Sequence, residues 1–380
     1  MVVGMAQNKW IWQQQRWPQF EYQADQVLPE LEELLRTVAP LELLASELDQ
    51  DKQLNLESLV LLDEALATAS IEGDILDRES VRSSIAKRLG IGNVKRTSRS
   101  AEAFVDVLLE SVRDYKKPLS KTMLCRWHDT MFYEKPILNN MLIGQYRNET
   151  MQIISGAYGK QKVHFQAPCD DQQSVENEMN QFLTWFNQTE SSSTESIYIK
   201  AAIAKFWFVT IHPFDDGNGR LSRIIAERCL ASAESNGIRL YSISNVIEQK
   251  RQEYYDLLEK MQRSTTLDLT EWVCWLLQQI TSAAKASMKR LNKIRLTTVF
   301  WDKHRMLSFN ARQTKLISRL LETDDFEQGI SRGKYKRLAH TTDITAARDL
   351  KDLVDKNILS PVGEGRSRKY LLKEMLDCKT

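Results

Sequence analysis

Leucines at helical spacing run through residues 24–47. The pattern repeats over 54–72, where Leu56, Leu59, Leu62 and Leu66 mark one face, so two amphipathic helices are predicted. Similar apolar periodicity, bounded by capping residues, predicts helices over 98–115, 120–132, 174–187, 196–211, 220–235, 250–262 and 269–290. The periodicity changes only between Gly144 and Pro168. There Gln152-Ile-Ile-Ser and Lys162-Val-His-Phe flank a Gly156-Ala-Tyr-Gly159 break, as a short β-hairpin should. A charged helix is expected near 285–295. Residues 313–372 then read as helix, helix, helix and two strands around Gly363-Glu-Gly365. The predicted class is mostly α, with one hairpin in the body. The expected domains are a docking segment and helix over 1–50, a catalytic core over 51–295 that includes the helix 54–73, and a small domain over 296–380. No internal repeat is visible, and the only low-complexity stretch is the polar loop 190–195.

Composition narrows the class. A chain of 380 residues can bury a full core in two or three domains. With 52 Lys and Arg against 51 Asp and Glu, no chain-wide field draws it to nucleic acid or to an anionic membrane. Cys125, Cys169, Cys229, Cys274 and Cys378 are odd in number, scattered and free of CxxC spacing, which argues against a disulfide framework and a zinc site. Residues 1–7 have no basic region followed by an apolar stretch, and no later apolar run is long enough for a bilayer. The expectation is a cytoplasmic protein with no membrane span.

One segment carries chemistry: Ile211-His-Pro-Phe-Asp-Asp-Gly-Asn-Gly-Arg-Leu-Ser-Arg223, between an apolar helix and an amphipathic one. Pro213 ends the first helix. Gly217 and Gly219 open backbone conformations closed to other residues, so successive amides can point at an anion. The next helix brings its positive N-terminus to the same spot. Arg220 and Arg223 lie three apart on its first turn, where they repel each other and the helix dipole, an arrangement that calls for bound anions such as the phosphates of ATP. Asp216 is a hard oxygen ligand suited to a magnesium ion bridging phosphates. His212, with an ordinary pKa near neutrality, is placed to take a proton from an attacking hydroxyl.

The segment His212 to Arg223 resembles the Fic-domain motif at every defining position, and the resemblance extends over roughly 54–280. It implies a Fic-type helical bundle in which His212 is the general base, Asp216 the Mg2+ ligand and Gly217 to Gly219 the anion hole. Arg220 and Arg223 would hold the β- and γ-phosphates of ATP, with Asp215 and Asn218 completing the loop and Phe214 as its buried anchor. The implied activity is protein adenylylation: a Ser, Thr or Tyr hydroxyl of a target protein attacks the α-phosphorus and pyrophosphate leaves. Transfer of another nucleotide, removal of AMP, and a nucleotide-sensing DNA-binding regulator stay open beside it.

Two further elements follow from the resemblance. Thr68-Ala-Ser-Ile-Glu-Gly73 is similar to the inhibitory motif of one Fic subclass, which implies that Glu72 pairs with Arg223 and holds the protein autoinhibited. Gly73 is a natural helix C-cap, so the Glu72 carboxylate would sit at the unfavourable end of its helix dipole and need compensation. The hairpin is implied to be the flap that receives a target segment by strand addition, lined by Ile153, Ile154 and Ser155. Tyr254 and Gln262 stand where the family contacts adenine, and core packing is the competing reading for Tyr254 and Tyr255. The aromatics Trp10, Trp12, Trp17 and Phe20 read as packing groups of a docking segment. His128, His164, His304 and His340 have no ligand spacing. Residues 313–372 fit a winged-helix pattern with basic groups at Lys334, Lys336, Arg337, Arg366, Arg368 and Lys369, while Asp349, Asp352 and Asp355 on the expected recognition helix would repel DNA. DNA binding, protein docking and homodimerisation all remain open for it.

Overall fold

The computed structural model describes residues 9–91, 97–132, 141–156, 161–188, 194–234, 238–323, 326 and 328–373. Most of the Gly156-Ala-Tyr-Gly159 break, the start of the 190–195 loop, the Arg366 side chain and Cys378 lie outside the described residues. The chain divides into two compact units, Met1–Ser287 and Met288–Thr380.

The first unit opens with a short 3-10 turn at Ile11–Gln13, followed by α1 (Ala24–Ser46), α2 (Gln50–Ile71), α3 (Arg78–Leu89), α4 (Arg99–Arg113) and α5 (Lys121–Phe132). The hairpin is β1 (Gln152–Ser155) against β2 (Lys162–Gln166), and then come α6 (Gln172–Asn187), α7 (Thr194–Ile211), α8 (Asn218–Ala231), α9 (Ile243–Gln249), α10 (Arg251–Gln262) and the start of α11 (Thr270–Lys303), whose residues from Met288 onward belong to the second unit. At the centre α7 is apolar on nearly every side, so it has no solvent face to offer. It packs most extensively on α8, itself buried from Asn218 to Ala231 except near Gly219. The joint between these two buried helices is the 211–223 segment, so the core holds that segment from both ends.

α2 reaches the same region from outside. Glu64, buried on its inner face, accepts hydrogen bonds from Ser242 Oγ (2.8 Å) and the Ser244 amide (3.0 Å), and from Thr68 Oγ1 (3.2 Å). This ties α2 to the start of α9. The end of α2 is a Schellman cap: the Gly73 amide donates to Ser70 O and the Asp74 amide to Ala69 O, both at 3.0 Å, with Gly73 at φ +85°.

Several elements differ from the sequence pattern. α3 has weak apolar periodicity, yet Asp77 accepts from the Ser80 amide at 2.7 Å and Gly90 ends it in the left-handed region. α9 is too short for periodicity to register, and its first turn is held by Glu64 from far away in sequence. The expected helices at 269–290 and 285–295 are one continuous helix, α11, because no Gly or Pro interrupts Thr270–Lys303.

The second unit contains α12 (Ala311–Glu322), β3 (Ile330–Ser331), α13 (Arg332–Leu338), α14 (Asp343–Asp355), β4 (Leu359–Val362) and β5 (Lys369–Leu372). The strands form an antiparallel sheet in the order β3-β5-β4, with Ile330 opposite Tyr370 and Leu359 opposite Leu372. Leu316, Leu320, Leu350, Leu353 and Leu359 belong to its core. One expectation for α14 is corrected here. Asp349 does not project as a repelling charge: it is buried, accepting from Arg312 Nε (2.8 Å) and the Tyr335 hydroxyl (3.0 Å). Asp352 accepts from Lys356 and Gln313, both at 2.7 Å, and Asp355 alone of the three is exposed.

Candidate active site

His212 ends α7 in the left-handed region, φ +53°, a conformation that a residue with a side chain seldom adopts. Its amide still donates to Phe208 O at 3.1 Å, and Nδ1 lies 3.0 Å from Val209 O. A carbonyl only accepts, so Nδ1 carries the hydrogen and the lone pair is on Nε2. Burial pushes the imidazole down to about 4, against the raising effect of the Val209 carbonyl. The ring is therefore neutral at working pH, with a basic nitrogen available.

The strained turn has a fastener. Arg147, buried, donates from Nε to His212 O (2.8 Å) and from its two terminal nitrogens to the carbonyls of Glu149, Cys169, Pro168 and Ile211, while its own amide meets Pro213 O at 2.9 Å. Five carbonyls from three chain segments converge on one guanidinium. The role of Arg147 rests on carbonyls, which leave no trace in side-chain pattern. Arg147→Lys, which keeps the charge but loses the planar fork, is expected to lower stability by about 2–4 kcal/mol in urea unfolding.

The loop after His212 is pinned from inside. Asn218 Oδ1 accepts from the Phe214 amide (3.0 Å) and its Nδ2 donates to Phe214 O (2.7 Å). The buried Phe214 ring stacks on His128 at 4.3 Å. The Gly144 amide donates to His128 Nδ1 (3.0 Å), so Nε2 holds the proton and donates to Asp216 O (3.1 Å). His128 thus supports the loop, where the sequence assigned it nothing. Asp215 Oδ2 accepts from the Leu142 amide at 2.8 Å. Asp216 Oδ1 accepts from the Gly217 amide at 2.6 Å and lies 3.8 Å from Arg220. Gly217 sits at φ +80°, where a Cβ would come within 2.5 Å of the Phe132 ring.

At the start of α8 the first amides have no intrahelical acceptor and face the N-terminal end of the dipole. Glu72 lies against them: a Cβ on Gly219 would be 2.3 Å from Glu72 Oε1. That oxygen also accepts from Arg223 Nη2 at 2.6 Å, and the same nitrogen reaches Thr68 O at 3.2 Å. Burial pushes the Glu72 carboxyl up, but the Arg223 guanidinium outweighs it and holds the group below the usual carboxylate range. Arg220 meets Asp74 at 3.0 Å. Nε and Nη1 of Arg223 and Nε of Arg220 are buried with no hydrogen-bond partner among the described residues.

A cavity of about 260 Å³ brings together His212, Gly219, Glu72, Ile153, Tyr254 and Gln262. Ile154 and Ser155 lie on the exposed hairpin outside that lining. Tyr254 is both wall and core: its hydroxyl accepts from the buried Lys205 at 2.7 Å, and its ring packs 5.0 Å from Tyr255 and 5.8 Å from Trp275. Gln262 Nε2 contacts Thr210 at 3.3 Å. Among the described residues no group of three or more His, Cys, Asp or Glu gathers as a metal cluster. The half-exposed Asp216 carboxylate beside the anion loop suits a magnesium ion that takes one protein carboxylate and the rest of its ligands from phosphate and water.

Residues 118–230 match the Fic/DOC family model. The chain carries a Fic/DOC domain. Residues 10–91 match a second model, described only as a domain of unknown function (DUF4172). The protein adenylyltransferase Fic of Drosophila ananassae is 37% identical over 81 residues, 21% of this chain and 15% of that protein. Its counterpart in Aedes aegypti is 36% identical with the same coverage, so the match spans about 15% of these relatives' own length. In fold, the chain is similar to the crystal structure of a Fic family protein from Desulfovibrio desulfuricans, with a TM-score of 0.53 at 17% identity over 93% of this chain and 97% of that one. The mostly helical architecture around the Fic/DOC domain is the one its sequence implied. No helix among the described residues is long and apolar enough to cross a membrane.

Proposed function

We propose that this chain is a protein adenylyltransferase, moving AMP from ATP to a Ser, Thr or Tyr hydroxyl of another protein, and that Glu72 holds it autoinhibited. The observation that carries the reading is the set of buried guanidinium N–H groups of Arg220 and Arg223 near the start of α8 that have no hydrogen-bond partner among the described residues, next to the Arg223–Glu72 contact. Such donors are costly to bury unless an anion completes them. The β- and γ-phosphates would meet Arg220 and Arg223, and the α8 amides would face phosphate oxygens. His212 Nε2 would accept the proton of the incoming hydroxyl as its oxygen bonds to the α-phosphorus and pyrophosphate departs. A magnesium ion held by Asp216 would supply charge compensation for the leaving diphosphate. The exposed edge of β1 would position the target backbone. This reading takes 51–295 as the catalytic core and leaves the target protein unnamed.

The test uses Glu72→Gly protein with Mg2+, a cell lysate and ATP labelled at either the α- or the γ-phosphate. Protein-bound label is expected from α-labelled ATP alone. Label from the γ-position, or α-label that persists after His212→Ala, overturns the proposal. A second reading concerns the second unit: with Asp349 and Asp352 engaged internally, a winged-helix role in binding duplex DNA rests on Lys334, Arg337, Arg368 and Lys369. Steeply salt-dependent binding of duplex by the full chain would support it.

A further inference from the structure

The domain of unknown function bears on the His212 cavity at two places: Glu72 lines it directly, and its start packs behind one wall. Trp10, 2% exposed, sets its ring edge-on to Phe165 of β2 at 5.4 Å. Trp12 donates its indole N–H to Gln166 O at 2.8 Å. Arg263, capping the end of α10, links Trp10 to β2: its guanidinium lies 4.6 Å from the Trp10 ring and donates to Val163 O (2.7 Å) and Glu259 (3.2 Å). Glu259 in turn meets His164 Nδ1 at 2.7 Å. Phe165, His164 and Glu259 all line the cavity.

An isolated two-stranded hairpin is at best marginally stable in water. Here every residue of β1 is exposed, so the hairpin's pose depends on what grips β2. Within the described chain that grip is the small cluster of Trp10, Phe165 and Ala167, with Trp12, Met151 and Val163 around it, and the links from β2 to α10. Residues further along the same segment are fastened independently: the Glu21 amide donates to Leu267 O (3.0 Å), and Glu21 O accepts from the Leu269 amide (2.8 Å). The segment is therefore anchored on the helical body behind Trp10 and Trp12.

We infer that Trp10 and Trp12 are positioning residues that fix the hairpin, and through it a target segment, beside His212. The target half of this inference rests on the hairpin reading proposed above. The effect on the hairpin itself does not.

Trp12→Phe removes one hydrogen bond and keeps a ring, and Trp10→Leu removes the aromatic edge; Trp10→Phe is the rescue. Each is made in the Glu72→Gly chain. Hydrogen exchange at the amides of 152–155 and 162–166 is expected to quicken about 10-fold or more in Trp12→Phe and Trp10→Leu and to return towards the parent in Trp10→Phe. AMP transfer to protein should fall about 10-fold in kcat/KM while ATP affinity stays within about 2-fold. Unchanged hairpin exchange overturns the inference, as does a loss of transfer matched by an equal loss of ATP affinity. If the Glu72→Gly parent labels no protein, the transferase reading fails, and the exchange measurement still decides whether Trp10 and Trp12 hold the hairpin.

Discussion

Glu72→Gly is expected to raise AMP transfer by about 10- to 100-fold, measured as the initial rate of α-label incorporation into protein at saturating ATP. The size follows from what the side chain occupies. Glu72 Oε1 takes the Arg223 Nη2 hydrogen bond at 2.6 Å and covers the first turn of α8, the two places a γ-phosphate would need. A hydrogen bond to a charged group is worth about 1.5–3 kcal/mol, and each 1.4 kcal/mol is tenfold in an equilibrium. Because Arg223 is 2% exposed, salt should screen the pair little. Acid should not release it at working pH either. The Glu72 carboxyl titrates below its ordinary range, so the pair's contribution is complete above that range and is lost only as pH falls through the lowered value. Glu72→Gln, similar in size but uncharged, should fall between the parent and the glycine variant. Adding Arg223→Ala to Glu72→Gly should return the rate to or below the parent value. A Glu72→Gly rate equal to the parent would end the autoinhibition proposal.

The resemblance of residues 68–73 to the inhibitory motif named the pair, and the sequence physics supplied only the need of Glu72 for a partner. Glu72 is at a helix end that its own dipole disfavours; the helix expected to start near 220 begins at Asn218, which puts Arg223 in its second turn, where its guanidinium still reaches Glu72. The loop from His212 to Gly219 was legible because its geometry is written locally, in a proline, two glycines and an asparagine. What stayed hidden depends on distant backbone. Nothing near Arg147 in sequence announces that five carbonyls await it, and nothing near Glu64 announces that it caps α9. The aromatics at Trp10 and Trp12 were readable as packing groups, but the surface they pack on, β2, could not be named without the fold. Asp349 shows the reverse failure: a helix position next to charged neighbours reads as solvent-facing, while its three partners come from other elements of the second unit.

Removing the imidazole should have the largest effect of all. His212→Ala in the Glu72→Gly chain is expected to lower AMP transfer about 10²- to 10⁴-fold, the usual range for a lost general base, with ATP affinity nearly unchanged because the proposed phosphate contacts, Arg220, Arg223 and the α8 amides, do not involve the ring. The pH profile separates this from a merely structural loss. Burial holds His212 at about 4, so kcat/KM of the Glu72→Gly chain should stay flat from pH 8 down to about 5, where an ordinary histidine base would already have lost most of its activity below 6.5. Stability should move in the matching sense. The folded ring resists protonation until about pH 4, whereas the unfolded chain takes up the proton near 6.5. Unfolding is therefore favoured progressively as pH falls from 6.5 towards 4, by about 3 kcal/mol at most from this group, and the contribution is absent above 6.5. His212→Ala should lose that part of the acid sensitivity in urea titrations at pH 7 and pH 4.5. A kcat/KM profile that falls with a midpoint near 6.5 would mean that the ring is solvated in the working enzyme, and the buried base proposed here would have to be abandoned.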